Sequence, residues 1–406
     1  MMTAALSFAL LGAPVTKPIE VPFRMTDEAM IVDARVNGKD CSFMFDTGFS
    51  GAFVLDSAIN LGPATGTMNL RDFVGQFEAS TIDVKSLSIG ALKVDAKDMT
   101  IVAQPSGRMS ESYGLHCDGI MGLETVANYV TEINFEKSKF IFYPDSYDIS
   151  SRKPDGVTTF LQKLKLKGNN SIELAVEAKN GKKLSLALDT GNAFYATTHK
   201  DKLEQIDLWE PGKKPQFMRT AFVASGAVDS WYKLMTDMKI FGVPVKESVW
   251  SIIDLPSSSA DHDGTVGFGF LKNFNITIDM KRRRVWMQKF APHAEAPPVA
   301  DIGVYIGYDP TSKASYIFQV TPNSPAERAG IRRGDKVLSI NGKEPDDLSA
   351  KAMMNLLEGA KGTKVALTLS RAGELKRYDV PREFMINGVP TDYAPARPAS
   401  APSTGQ

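Results

Sequence analysis

Two aspartates stand in the same setting at distant points of the chain. Asp46 ends the apolar run Phe43-Met44-Phe45 and is followed by Thr47-Gly48. Asp189 ends Leu186-Ala187-Leu188 and is followed by Thr190-Gly191. An apolar strand rarely delivers a carboxylate to its end without a partner for it, because a buried charge is costly unless it is paired. Two carboxyl groups within hydrogen-bonding reach cannot both ionise easily, so a pair of this kind holds one proton between them. The ionised member can then act as a base and the protonated member as an acid.

The elements around each aspartate repeat as well. Asn37-Gly38 and Asn180-Gly181 precede the two runs, and Asn-Gly is a strong hairpin signal. The alternating apolar residues after each read as a strand, and the glycine after the threonine permits a tight turn. Downstream, Asp118-Gly119-Ile120-Met121-Gly122 in one copy answers Asp263-Gly264-Thr265-Val266-Gly267 in the other. Ile133-Asn134-Phe135 and Ile278-Asp279-Met280 then follow at equal offsets, and Leu87-Ser88-Ile89-Gly90 recurs as Met238-Lys239-Ile240-Phe241-Gly242. The chain thus carries two copies of one β-rich unit, each with one Asp-Thr-Gly turn. Related units of this kind pack about a pseudo-twofold axis, which brings the aspartates together.

The paired Asp-Thr-Gly turns and their Asp-Gly segments resemble the aspartic peptidases of the pepsin and retropepsin group, over roughly residues 22 to 290. The resemblance implies a mostly β fold with two related β-barrel lobes. It also implies an endopeptidase in which the Asp46 and Asp189 dyad activates a water against the scissile carbonyl, without metal or cofactor. Thr47 and Thr190 would lock the turns and Gly48 and Gly191 would permit them. Phe73, Val74 and Gly75, and Phe222, Val223 and Gly226, are candidates for hairpin flaps or ordinary exposed turns. The residue after the turn departs from the usual small polar type, being Phe49 and Asn192. That departure keeps a rival open, a non-catalytic peptide-binding scaffold.

Beyond an Ala/Pro-rich stretch, Ile302-Gly303-Val304, Val320-Thr321-Pro322-Asn323-Ser324-Pro325-Ala326 and Gly334-Asp335-Lys336-Val337 resemble a PDZ domain of the kind attached to bacterial envelope proteases. Such a small α+β domain binds an extended peptide by strand addition, with a glycine loop holding a terminal carboxylate. The resemblance maps that loop to Ile302, Gly303 and Val304 and the flanking helix to 349–357. The expected organisation is a signal-like segment at 1–21, lobes at 22–145 and 157–290, linkers at 146–156 and 291–299, a PDZ domain at 300–384 and a disordered tail at 385–406.

Composition bounds the rest. The 406 residues are 43% hydrophobic and 23% charged, enough for a sizeable core in more than one domain. Lys plus Arg and Asp plus Glu balance at 47 each, which argues against a nucleic-acid partner held by net charge. Partners are expected to be polypeptide substrates, and peptides or C-termini at the PDZ domain. The apolar run from Ala4 to Val15 is too short to span a bilayer. It reads as the hydrophobic part of an export signal, although no Lys or Arg precedes Lys17, or as a small buried strand. Export to a periplasmic or extracellular place is the expectation. Cys41 and Cys117 are left as a disulfide or as two buried thiols. His116, His199, His262 and His293 show no metal-ligand spacing, and no phosphate-cradling glycine loop is present. The insertion from Asp201 to Gln216 reads as a surface excursion.

Overall fold

The structure is a computed structural model. It describes residues 16–394 except 27, 72–75, 98, 106–114, 145, 168–170, 224–225, 260–262, 293, 310–311 and 349. It is mostly β, with a five-stranded sheet near its C-terminal end where the PDZ-like domain is expected. The first copy of the repeat runs through β1 (Met30–Val36), β2 (Lys39–Asp46), β3 (Phe53–Asp56) and β4 (Gly119–Gly122). The second has β5 (Ser171–Glu177) and β6 (Lys183–Leu188), then α1 (Lys200–Gln205), β7 (Arg219–Val223), β8 (Gly226–Ile240) and β9 (Gly264–Val266). The PDZ region contributes β10 (Val304–Asp309), β11 (Ala314–Val320), β12 (Lys336–Ile340), α2 (Ala350–Leu357), β13 (Lys364–Arg371) and β14 (Glu374–Pro381).

The chain forms two compact units. The first takes it to Thr197, together with Lys239–Pro244 and Ser257–Ala294. The second holds Thr198–Met238, Val245–Pro256 and the chain from Glu295 onward.

In the first unit, β1 and β2 pair antiparallel up to a two-residue turn in which Asn37 and Gly38 both take positive φ, +50° and +81°. That geometry matches the twist of the hairpin and is why Asn-Gly serves there. The second Asn-Gly closes a wider loop between Glu177 and Lys183. β2 and β6 are each gripped on the far side by a parallel strand. Met44 faces Ile120 on β4, and Leu188 faces Val266 on β9. With neighbours on both edges and both faces covered, Phe43, Met44 and Phe45 are all buried, as are Leu186, Ala187 and Leu188. Phe43 meets Phe53 edge-on at 4.8 Å between ring centroids and Phe45 meets Phe140 at 4.9 Å, so the strand ends are wedged in aromatic core.

The parallel strands enter through glycines that no other residue could replace. Gly119 and Gly264 have φ of +145° and +147°, and a Cβ on Gly119 would lie 2.1 Å from the Val54 carbonyl oxygen.

Cys41 and Cys117 are both buried free thiols. Met44 and Cys117 pack with Ala29 and Ile31 on one face of the strand. Cys41 lies an odd number of positions before Met44, and alternation turns it to the opposite face, so no disulfide joins the two. Burial pushes the Cys41 thiol up to about 11, assisted by the charge of Asp118, and burial raises Cys117 as well.

In the second unit, the stretch expected to be a surface excursion is partly core. Leu203 of α1, Ile206 and Trp209 are buried, and Trp209 lies against Trp231 of β8 at 5.4 Å. The five-stranded sheet runs in the order β10, β11, β12, β13, β14, so among the described residues β10 is an edge strand. α2 packs across β10 and β12, and Met353 and Leu357 join Val304, Ile306 and Ile340 in the core. The unit is knitted by Asn387, which donates its N–H to the Tyr232 carbonyl at 2.7 Å and accepts from Leu234 at 2.9 Å and Gln216 at 2.7 Å.

Gly119→Ala is expected to cost at least ~2 kcal/mol, from the carbonyl overlap and the forbidden φ together. Gly38→Ala, with open space at its Cβ, should cost about 1 kcal/mol. Urea unfolding midpoints of the two variants check the ranking.

Candidate functional site

The two Asp-Thr-Gly turns meet within the first unit. Their threonines exchange hydrogen bonds reciprocally. Thr47 N–H donates to Thr190 Oγ1 at 3.0 Å, and Thr190 N–H donates to Thr47 Oγ1 at 3.0 Å. Each hydroxyl then donates onward, Thr47 to the Leu188 carbonyl at 2.7 Å and Thr190 to the Phe45 carbonyl at 2.8 Å. Each hydroxyl therefore both accepts and donates, which a single-donor, two-lone-pair group allows. Both threonines are fully buried.

This lock sets the carboxyl groups face to face. Asp46 Oδ1 accepts from Gly48 N–H at 2.7 Å and Phe49 N–H at 3.1 Å. Asp189 Oδ1 accepts from Gly191 N–H at 2.9 Å and Asn192 N–H at 3.0 Å. The glycines are needed for the approach itself. A Cβ on Gly48 would lie 2.6 Å from the Asp189 carboxyl carbon, and one on Gly191 would lie 2.3 Å from that of Asp46. The carboxyls are hydrogen-bonded to each other. Burial raises both above the usual carboxylate range, Asp189 furthest, because the charge of Asp46 adds to it. The hydrogen bonds from Asp189 and the turn amides oppose the rise at Asp46. The pair accordingly holds a proton that isolated carboxyls would have lost, and the two groups titrate as one unit.

Sequence reasoning missed what the residues after the turns do. Phe49 packs in an apolar cluster with Ile120, Val54 and Val102. Asn192 Nδ2 instead donates to Thr265 Oγ1 at 2.7 Å and Thr197 Oγ1 at 3.0 Å. The signal was present in the repeat, where the first copy's Phe49 and Ile120 become Asn192 and Thr265, an apolar pair exchanged for a polar one. Asp118 has a local role, its Oδ2 accepting from Ser42 N–H at 2.8 Å.

The flap candidates divide. Phe73, Val74 and Gly75 lie outside the described residues, beyond the last pair of their hairpin, Arg71 with Gln76. Phe222 and Val223 pair with Ala227 and Gly226 at the tip of the β7–β8 hairpin in the second unit. In the PDZ loop, Ile302 and Val304 are buried in the domain core and Gly303 takes φ +83°.

Elsewhere in the first unit an open cavity of about 590 Å³ holds His116, Asp118, Ser42, Asp33 and Arg24. His116 Nε2 is paired with Asp118 at 3.0 Å. The Ser42 hydroxyl donates to Asp33 at 2.7 Å and accepts from Arg24 at 3.0 Å, so a carboxylate and a guanidinium, rather than an imidazole, engage it.

Residues 316–371 match the family model of the PDZ domain. Among curated proteins, the chain is 38% identical over 90 residues to the carboxy-terminal processing protease CtpA of Bacillus subtilis, covering 20% of this chain and 19% of that protein. It is 38% identical over 73 residues to the serine endoprotease DegS of Haemophilus influenzae, covering 18% of this chain and 21% of the other. The chain thus spans about a fifth of the length of the curated relatives it matches. A solved aspartic proteinase from Irpex lacteus aligns over 67% of this chain and 97% of its own, at 12% identity and a TM-score of 0.41, a likeness too low to carry an assignment.

These findings correct the expectation of an aspartic endopeptidase. The curated relatives are carboxy-terminal processing proteases and a serine endoprotease, and the aspartyl, pepsin-like and retropepsin-like description falls with the assignment. No helix among the described residues is long and apolar enough to cross a membrane.

Two outcomes are expected from the pair. Thr47→Val removes the acceptor of Thr190 N–H and the donor to the Leu188 carbonyl, leaving both groups buried and unpaired at a cost of about 2–4 kcal/mol in urea unfolding. For Asp189 the raised pKa means that its stabilising protonation is fully present below the ordinary carboxylate pKa and is lost as pH rises through the folded-state value. Asp189→Asn, which keeps an oxygen for the turn amides, should therefore raise the thermal unfolding midpoint at pH 7 and leave it nearly unchanged near pH 3.

Proposed function

We propose that the chain is a polypeptide hydrolase of the PDZ-bearing protease kind, in which the PDZ domain takes up an extended segment and the Asp46–Asp189 pair handles the proton. The observation that carries the uptake step is the open edge of β10 beside α2. At an edge strand an extended peptide can pair its backbone as a further strand while its alternate side chains enter the groove. Ile302, Gly303 and Val304 lead into that edge.

The proton-handling role rests on chemistry rather than on relatives. A carboxyl pair locked by Thr47, Gly48, Thr190 and Gly191 and sharing a proton has an acceptor and a donor side by side, the requirement for acid–base work on a polar bond. Keeping two carboxyl groups against each other solely for structure would cost stability that apolar residues would not. The domain reading goes with this, as two related β units at 22–145 and 157–290 and a PDZ domain at 300–384. Export is the matching localisation.

The test is degradation of an unfolded protein such as reduced, alkylated casein from about pH 3 to about pH 8, with and without a fluorophosphonate that labels nucleophilic serines. Asp46→Asn and Asp189→Asn are each expected to lower the rate by about 10²–10⁴-fold with peptide uptake unchanged. Full activity in both variants, together with inactivation by the fluorophosphonate, would overturn the role given to the pair. Failure of the wild type to degrade casein anywhere in the range would overturn the hydrolase reading.

A further inference from the structure

The loop that leads into β10 reads Asp301-Ile302-Gly303-Val304, and its glycine amide is already engaged. Asp301 Oδ1 accepts from Gly303 N–H at 2.6 Å. The other oxygen, Oδ2, accepts from Arg219 Nη2 of β7 at 2.6 Å. Both side chains of this ion pair are largely buried, 14% exposed for Arg219 and 18% for Asp301, and the guanidinium lies 4.7 Å above the Tyr232 ring. The Asp301 backbone is pinned as well, exchanging hydrogen bonds of 3.0 and 2.9 Å with Glu383. Gly303, at φ +83°, is packed so closely that a Cβ would come within 2.2 Å of Ser324 Cβ. The loop is therefore held in one shape, with an internal carboxylate on the amide.

Backbone N–H groups of such a glycine loop are the means by which a groove captures a peptide's terminal carboxylate. A second carboxylate brought to this loop would lie against Asp301, and one arginine neutralises only one of the two charges. Like charges at that separation disfavour each other strongly when desolvated. A chain that continues past the loop, with a neutral peptide group at the same place, meets no such cost.

We propose that this PDZ groove takes internal, extended stretches of polypeptide and discriminates against free C-termini, because Asp301 stands where a terminal carboxylate would bind. The proposal rests on the reading that β10 and α2 form a peptide groove. Side-chain preference follows from the outer face of the same edge. Tyr305 of β10 and Phe318 of β11 are 41% and 40% exposed and meet edge-on at 6.1 Å, with the Arg333 guanidinium 5.3 Å from the Phe318 ring. Alternate side chains of an added strand would lie on this aromatic face, which suits apolar or aromatic residues at every second position.

The test offers the full chain two octapeptide libraries of the same random composition, one ending in free acids and the other in C-terminal amides, and counts retained peptides by mass spectrometry. Amides should be retained at least as well as acids, with apolar and aromatic residues recurring at alternate positions. Asp301→Asn keeps an oxygen for the Gly303 amide and leaves Arg219 to an incoming carboxylate, so it should shift the ratio toward acids by about tenfold. Free acids in excess on the wild type would overturn the proposal, and this comparison decides the matter even if the variant fails to fold. Retention of neither library would instead overturn the peptide-groove reading beneath it.

Discussion

The reciprocal hydrogen bonds between Thr47 and Thr190 are the constraint on which the rest of the first unit depends. Neither hydroxyl could serve as acceptor and donor at once unless the two turns stood opposite each other in matching geometry. Once they do, the glycines next in sequence are forced against the opposite carboxyl groups, and the carboxyl groups against each other. The surrounding sheet exists to hold that arrangement still. Each aspartate-bearing strand is paired on both edges and wedged in apolar core, so the turns have no freedom to draw apart.

The carboxyl pair is unfavourable for stability, and its persistence has a physical explanation in that lock. Burial alone would neutralise both groups. The turn amides of Gly48, Phe49, Gly191 and Asn192 donate to the two carboxyls and oppose that effect. The two copies differ in what stands beside each aspartate. The Asn192 side chain places a polar network with Thr197 and Thr265 beside Asp189, while Phe49 sets an apolar cluster beside Asp46.

Much of this was legible in the sequence because it is repeated. Asp-Thr-Gly appears twice with matched flanks, and so do Gly119 and Gly264, whose positive φ admits no other residue comfortably. The PDZ region was legible through its glycines and apolar alternation. What could not be read were contacts without a local signature. Arg219 and Asp301 are 82 positions apart and nothing in either neighbourhood announces the other. Leu203, Ile206 and Trp209 sit among prolines, glycines and lysines that suggest a surface loop, yet they are core. Cys41 lies on β2 and Cys117 just before the neighbouring β4, but face alternation, invisible without the strand register, separates them. Chemical class was the least legible property, since resemblance of short motifs pointed one way and the named relatives another.

The central claim is that Asp46 and Asp189 titrate as one unit that keeps a proton where separate carboxyls would not. It is tested most directly by ¹³C NMR of the aspartate carboxyl carbons across pH, assigned with Asp46→Asn and Asp189→Asn. The account predicts that one proton remains on the pair at pH 6, with both carboxyl carbons reporting the same titration, and that replacing either aspartate returns the survivor toward ordinary behaviour. Two independent titrations near the ordinary aspartate value of about 4 would contradict it.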